Sequence, residues 1–155
     1  FRFVHDDYGE QSQTMSEIYQ LPAVGKSAKR IKRRQQNRLV LGNLGARVDW
    51  AHAVDHMRAL RLIIDASSPG NFVVASGELH SVREFGTQVF DCLGLDFNAY
   101  VEEDRTLIRS VEPEAALVGN SEKLKRMTGW EPKFSLKELV QDMVDAELAR
   151  SSLDS

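Results

Sequence analysis

Seven cationic side chains lie within thirteen residues, from Lys26 to Arg38, with no acidic residue among them. The rest of the chain carries 13 basic and 23 acidic residues, so this stretch stands out in an otherwise acidic sequence. Clustered ammonium and guanidinium groups suit RNA or another polyanion, and the absence of an interleaved aromatic residue gives no support for base stacking. A solvated helix face is the alternative. The candidate contacts are Lys26, Lys29, Arg30, Arg33 and Arg34.

The composition of the chain argues against several other kinds of site. Cys92 is the only cysteine, which excludes an intrachain disulfide and argues against a thiolate zinc site; its apolar neighbours predict a small core residue. No apolar run approaches the ~20 residues of a membrane span. Because nothing at the start resembles a signal peptide, we expect an intracellular location, cytoplasmic or in an organellar matrix.

The chain of 155 residues, 42% hydrophobic and 28% charged, suits one globular domain. Strand and helix patterns alternate along it, which predicts a mixed α/β fold. The predicted strands are Phe1–His5, Arg38–Asn43, Asn71–Ser76 and Tyr100–Glu102. The predicted helices are Val24–Arg34, Ala51–Ala66, one from Ser81 to about Leu93, a short one ending near Gly129, and a last one after Ser135. Residues 10–15 are predicted to form a loop.

Polar residues mark several helix starts. Ser81 and Glu84 form a Ser-x-x-Glu capping box, and Ser135 precedes an apolar stripe that begins at Leu136. Asn120 or Ser121 is the expected cap of the short helix. We expect the residues around these positions to cap helices, make turns or fill the core: Asp49, Trp50, Ser81, Glu84, Gly129, Trp130 and Pro132.

An ordered set of short motifs runs through most of the chain. Leu41–Leu44 (LGNL) is followed by Asp49–Ala53 (DWAHA) with Asp55, and then by Ala75–Phe85 (ASGELHSVREF). Further along stand Arg109 with Glu112, then Gly119, Lys123–Lys125, Gly129–Lys133 (GWEPK) and Leu139–Val144 (LVQDMV). Together they resemble GDP-mannose 4,6-dehydratases, which are extended short-chain dehydrogenases.

The resemblance implies an α/β fold that corresponds to the C-terminal, substrate-side portion of such an enzyme, with a partial Rossmann sheet and a small α/β domain. Phe1–His5 would match the sixth strand of the family sheet. The first five strands, the glycine-rich loop and the Tyr-x-x-x-Lys pair would then precede this sequence. In this reading residues 1–20 are a remnant strand and loop, 21–150 are the dehydratase-like domain and 151–155 are a tail.

The resemblance also implies site residues. Arg109 and Glu112 match the family's Arg-x-x-Glu, in which arginine holds the diphosphate and the carboxylate holds the ribose. A surface ion pair is the alternative. His5 matches a histidine near the cofactor, although a histidine at a strand end more often has a structural role. The cofactor would be NADP if a catalytic half is present, and the chain alone would hold none.

Several positions depart from the family pattern. Val4 stands where the family has asparagine, and Ala23 where it has a phosphate-contacting lysine. Val48 replaces an arginine, for which neighbouring Arg47 is the candidate substitute. Loss of one charged phosphate contact typically costs ~1.5–3 kcal/mol, so such losses together weaken binding strongly.

Three functional hypotheses follow. The first is a non-catalytic, dehydratase-derived structural or interaction subunit of a larger assembly, with other protein subunits as partners. The second is the C-terminal, GDP-sugar-binding half of an NADP-dependent GDP-mannose 4,6-dehydratase whose catalytic half is missing from this chain. The third is a module that contacts RNA or another polyanion through residues 26–38.

Overall fold

The computed structural model describes the backbone of residues 13–66, 68–107 and 118–153, and side chains from residue 23 to residue 150 within those ranges. The predicted strand Phe1–His5 lies outside the described residues, as do Arg109 and Glu112. The helices are α1 (Gln13–Lys32), α2 (Ala53–Ile64), α3 (Val82–Cys92), α4 (Phe97–Tyr100), α5 (Glu122–Thr128) and α6 (Leu136–Leu153). The strands are β1 (Leu39–Leu41), β2 (Arg47–Val48), β3 (His80–Ser81) and β4 (Val101–Glu103), and Arg105–Leu107 form one 3₁₀ turn.

Helix α1 begins earlier than the sequence predicts. It starts at Gln13 rather than near Val24, so the loop predicted over residues 10–15 is wrong for Gln13–Met15. The assignment of residues 1–20 to a strand and loop likewise fails from Gln13 onward. Pro22 favoured a helix start in the sequence because it lacks an N–H. The helix instead runs through it at the cost of one backbone bond.

The described strands form two small two-stranded sheets. Strands β1 and β4 pair in parallel, with Leu39 opposite Val101, while β2 and β3 pair antiparallel, with Arg47 opposite Ser81. The strand predicted over Asn71–Ser76 is wrong. Its two ends bond to side chains instead of a neighbouring strand: Lys123 Nζ donates to Asn71 O at 3.0 Å, and Ser76 N donates to Asp49 Oδ1 at 2.9 Å.

The larger core lies where α1, α3 and α6 pack together against β1 and α4. Each of the three helices contributes a buried stripe at helical spacing. Its members include Val24, Ala28 and Ile31 of α1, Phe85, Val89 and Phe90 of α3, and Leu136, Val140 and Val144 of α6. A smaller cluster joins α2 to α5 through Ala59, Leu124 and Trp130, with Phe72 and Val74 packed against it. The segment Asn71–Ser76 is therefore held by packing as well as by the hydrogen bonds at its two ends.

The predicted caps are largely confirmed. Ser81 and Glu84 bond reciprocally, and the bond from the Ser81 N–H lowers the pKa of the Glu84 carboxyl below its usual value. Ser135 and Glu138 bond in the same way at the start of α6. Gly129 ends α5 in the left-handed region at φ 71°. The expectation for Cys92 is wrong: it is exposed on α3, with its thiol 3.4 Å from Gln141 Oε1.

No helix in the described ranges is both long and apolar enough to cross a membrane.

The contact between α3 and α4 gives the first testable prediction. Gly86 is buried on α3, and a Cβ there would overlap the ring of Phe97. We expect Gly86→Ala to lower the free energy of unfolding by about 1–3 kcal/mol, because the packed ring has to move. The matched control is Gly25→Ala in α1, where a Cβ meets nothing within 4 Å. There we expect stabilisation by about 0.5–1 kcal/mol. Urea unfolding of both variants checks this, and equal effects would contradict the packing argument.

Candidate functional site

The carboxylate of Asp49 ties three chain segments together. It lies directly after β2 and accepts hydrogen bonds from Ser76 N at 2.9 Å, Ser76 Oγ at 2.5 Å, Gly77 N at 3.1 Å and Gly119 N at 3.0 Å. Backbone N–H groups bonded to a charged acceptor form stronger bonds than neutral pairs. Asp49 therefore fixes the turn at Ser76–Gly77 beside the chain at Gly119.

Gly119 allows this approach because it has no side chain. A Cβ at Gly119 would overlap the Cβ of Ala75. The segments that contain Ala75 and Gly119 are therefore in direct contact next to the Asp49 carboxylate. The residue type at position 119 is a steric requirement of the site.

An open cleft of about 560 Å³ lies in front of these segments. Its volume is within the range of small-molecule sites. Its lining is mixed, with apolar side chains beside hydroxyl, amide and backbone groups and one charged pair. The lining residues are Ser76, Gly77, Val118, Gly119, Asn120, Ser121, Glu122, Lys125, Trp130, Glu131 and Pro132.

The charged pair in the cleft is Lys125 with Glu131, whose Nζ and Oε1 are 2.5 Å apart. The hydrogen bond raises the pKa of the Lys125 ammonium and lowers the pKa of the Glu131 carboxyl. Both groups therefore stay charged at neutral pH. Because Glu131 neutralises Lys125, this lysine offers little net charge to an anion unless the pair opens.

Asp55 fixes the part of the cleft lining that contains Trp130, Glu131 and Pro132. Its side chain is fully buried and accepts from Lys133 N at 2.8 Å, Phe134 N at 3.0 Å and Arg58 Nη1 at 2.6 Å. The Asp55 carbonyl also accepts from Trp130 Nε1 at 3.0 Å. A buried carboxylate needs this number of donors to offset its lost hydration. The loop from Trp130 to Phe134 is thereby held against the start of α2.

The residues predicted from the family pattern are not gathered in the described cleft. Arg47 is exposed in β2, where its Nη2 lies 3.3 Å from Leu79 O, and it does not line the cleft. Arg109, Glu112 and His5 fall outside the described residues. Their roles, and that of Arg47 in ligand binding, stay predictions.

The predicted polyanion contacts divide into two groups. Lys26, Arg30, Arg33 and Arg34 are exposed. Lys29 is different, because its Nζ lies 2.7 Å from Glu147 Oε1 and its side chain is 15% exposed. This bond lowers the pKa of Glu147 and joins α1 to α6. Lys29 therefore serves packing in the described structure.

Sequence reasoning missed the part played by Asp49, which it assigned to capping or turns. His52 is the cap of α2: its Nδ1 accepts from Val54 N at 3.1 Å. The available signal for Asp49 was its place between a short strand and a helix, with the small residues Ser76, Gly77 and Gly119 elsewhere in the chain. Such residues leave backbone N–H groups accessible to an acceptor.

Asp49→Asn tests whether this carboxylate organises the cleft. The amide keeps one acceptor oxygen and turns an NH₂ group toward N–H donors. We expect the free energy of unfolding to fall by about 2 kcal/mol, measured by urea titration. The matched control is Asp65→Asn at the exposed end of α2, for which we expect a change within about 0.5 kcal/mol. Equal changes in the two variants would show that Asp49 is not an anchor.

Known proteins share this sequence pattern and this architecture. The chain matches the family model for GDP-mannose 4,6 dehydratase over residues 8–143. It is 35% identical over 141 residues to GDP-mannose 4,6 dehydratase 1 of Arabidopsis thaliana, covering 91% of this chain and 39% of that protein. It is 32% identical over 148 residues to the human GDP-mannose 4,6 dehydratase, covering 83% of this chain and 40% of that protein. The chain thus spans about two fifths of the length of these curated relatives.

Solved structures agree in fold. The structure of RMD from Pseudomonas aeruginosa complexed with NADPH superposes with a TM-score of 0.74 at 21% identity, covering 84% of this chain and 42% of that one. The dTDP-glucose 4,6-dehydratase of Bacillus anthracis in complex with NAD gives 0.70 at 19% identity, covering 85% and 40%. At these identities the likeness concerns the fold alone. The predicted fold class is confirmed: the chain belongs to the GDP-mannose 4,6-dehydratase family and has the α/β architecture of the C-terminal portion of an extended short-chain dehydrogenase.

Proposed function

We propose that this chain forms the sugar-nucleotide-binding portion of a GDP-mannose 4,6-dehydratase-like protein. The observation that carries the proposal is the cleft whose lining segments are fixed by hydrogen bonds to the carboxylates of Asp49 and Asp55. A site that must hold a polar ligand in one orientation needs walls fixed in advance. Family membership supplies the ligand class, a GDP-sugar.

Arg109 and Glu112 are the proposed ligand contacts. They stand six or more positions before Val118, where the described chain resumes along the wall of the cleft. A guanidinium group can bond two oxygens of a diphosphate, and a carboxylate can accept from both hydroxyls of a ribose. These residues bind and orient the nucleotide in the proposal, and we assign them no bond-making step.

The described residues do not fit NADP. The stretch from Gly42 to Ala46 joins β1 to β2 and is not followed by a helix, whereas a dinucleotide loop lies between a strand and a helix N-terminus. None of Tyr8, Tyr19 and Tyr100 has a lysine four residues later. We therefore derive no redox step from this chain. If NADP takes part, residues outside the described ranges hold it.

A non-catalytic structural or interaction subunit is the second candidate. It is favoured by the departures from the family's ligand pattern at Ala23 and Val48, which are exposed on α1 and half-buried in β2. Neither side chain offers a charge to phosphate. This candidate predicts that the fold persists without nucleotide affinity, which separates it from the first by one binding measurement.

Titration of the full chain with GDP and GDP-mannose by isothermal calorimetry tests the proposal. We expect saturable binding, and we expect Arg109→Ala to weaken it by about 10- to 100-fold, the loss of one charge-assisted bond. Glu112→Gln should weaken the binding of GDP more than the binding of free diphosphate, because the proposed partner of Glu112 is the ribose, which diphosphate lacks.

The matched control is Arg105→Ala, four residues before Arg109 and exposed beside Glu103. We expect it to change the affinity by less than about twofold. Absence of binding to either ligand by the folded chain would reject the proposal and favour the structural subunit. Equal weakening by both arginine variants would reject the assigned role of Arg109.

A further inference from the structure

The C-terminal end of α1 carries an exposed set of cations that the cleft does not use. We call it the basic turn surface and define it as Lys26, Arg30, Lys32, Arg33 and Arg34, all exposed. Lys26, Arg30 and Arg33 recur at intervals of four and three residues, on the side of the helix opposite the buried Val24, Ala28 and Ile31. Burial of one face therefore presents these charges together on the other.

Most of these cations are not used by the fold. Within the described ranges, Arg30, Lys32, Arg33 and Arg34 take part in no side-chain hydrogen bond or ion pair. Two neighbouring cations are neutralised, since Lys29 pairs with Glu147 at 2.7 Å and Arg38 pairs with Glu102 at 2.9 Å. Four of the five members, Arg30, Lys32, Arg33 and Arg34, therefore have no acidic partner among the described residues, whereas Lys29 and Arg38 are each paired with a carboxylate.

Helix capping does not account for these side chains. The last carbonyls of α1 already accept backbone N–H groups: Arg33 N to Lys29 O at 3.1 Å, Arg34 N to Ile31 O at 2.9 Å and Gln35 N to Arg30 O at 2.8 Å. Cations near a helix C-terminus do interact favourably with the helix dipole, but one or two suffice for that. The remaining charges are surplus to the helix.

Arg34 adds a second observation. It is the only described residue other than glycine with a positive φ, at 58°. Glycine is the favoured residue where a helix ends in this left-handed conformation, because any side chain there is strained. The bonds from Arg34 N to Ile31 O and from Gln35 N to Arg30 O account for this turn, and arginine in place of the favoured glycine adds an exposed guanidinium group there.

The surroundings distinguish the kinds of partner. No large hydrophobic residue between Lys26 and Arg38 is exposed, and Gln35 and Asn37 are the exposed polar neighbours. Protein–protein interfaces usually have an apolar centre, which this surface lacks. No aromatic residue lies between Lys26 and Arg38 for stacking on bases. Acidic residues elsewhere on the chain are screened beyond about 8–10 Å at ordinary ionic strength.

We propose that the basic turn surface binds the phosphodiester backbone of a nucleic acid without sequence preference. Arginine forks bond phosphate oxygens at two points, and three of the five members are arginines. RNA and DNA share this backbone, so both are probes in the test. The proposal does not depend on the sugar-nucleotide site.

The test is fluorescence anisotropy of the full chain with labelled single-stranded RNA and DNA of about 20 nucleotides, between about 50 and 200 mM salt. We expect saturable binding at low salt, with log Kd rising against log salt at a slope of about 2–3, the value for three or four neutralised phosphates. Binding of both probes supports a backbone contact. Preferential binding of RNA supports it with an added contact to the 2′-hydroxyl.

Two variants with equal charge changes make the test specific. Arg30→Gln, Arg33→Gln and Arg34→Gly together remove three charges and relieve the strained turn. The control, Arg61→Gln, Arg126→Gln and Lys137→Gln, removes three exposed charges from α2, α5 and α6. We expect at least a tenfold loss of affinity in the first variant and less than a twofold loss in the control.

Three results would overturn the proposal. The first is an absence of binding to either probe at the lowest salt. The second is an equal loss in both variants, which reports net charge alone. The third is equal competition by polyglutamate at matched charge, which would assign the surface to an acidic protein. Circular dichroism of both variants verifies that the fold is intact, and Arg34→Gly is expected to favour folding.

Discussion

The acceptance of four hydrogen bonds by the Asp49 carboxylate is the interaction on which the candidate site depends. It joins the end of β2 to Ser76, Gly77 and Gly119, which are 27 to 70 positions away in the sequence. Without it, three backbone N–H groups and the Ser76 hydroxyl would need other acceptors. The absence of a side chain at Gly119 is the steric counterpart, because it permits contact with Ala75.

Polar anchors matter here because the apolar cluster behind the cleft is small. Among the residues that the structure describes, Ala59, Leu124 and Trp130 are the buried members of this cluster. Burial contributes about 25 cal/mol per Å² of apolar surface, so three side chains, one of them alanine, supply limited stabilisation. Asp55 compensates by accepting backbone bonds at Lys133 and Phe134 and binding Trp130 through its carbonyl. The same carboxylate is costly if a partner is lost, since it has no access to solvent.

What the sequence predicted well was local. The capping boxes at Ser81 and Ser135 need only residues three positions apart, and α2, α3 and α6 follow from apolar spacing. What it predicted poorly depends on distant segments. The apolar stretch Asn71–Ser76 has the composition of a strand, but a strand also needs a partner, and its ends bond Lys123 and Asp49 instead. The anchoring role of Asp49 was hidden for the same reason. The predicted helix was shorter than α1 because Pro22 was interpreted as a start signal.

The residues that stabilise the fold differ from the residues that would bind a ligand, so one set can be kept while the other is lost. Asp49 and Asp55 act on backbone N–H groups within the chain, so their bonds form whether or not a nucleotide binds. Ligand affinity depends on charged side chains that contact the ligand, a role that stays a prediction for Arg109, and a substitution like Val48 removes a charge with no necessary effect on the fold. A well-formed cleft is therefore compatible with both a binding subunit and a structural one. The cations of α1 illustrate the same separation, because Lys29 serves packing while Arg30 and its neighbours face solvent.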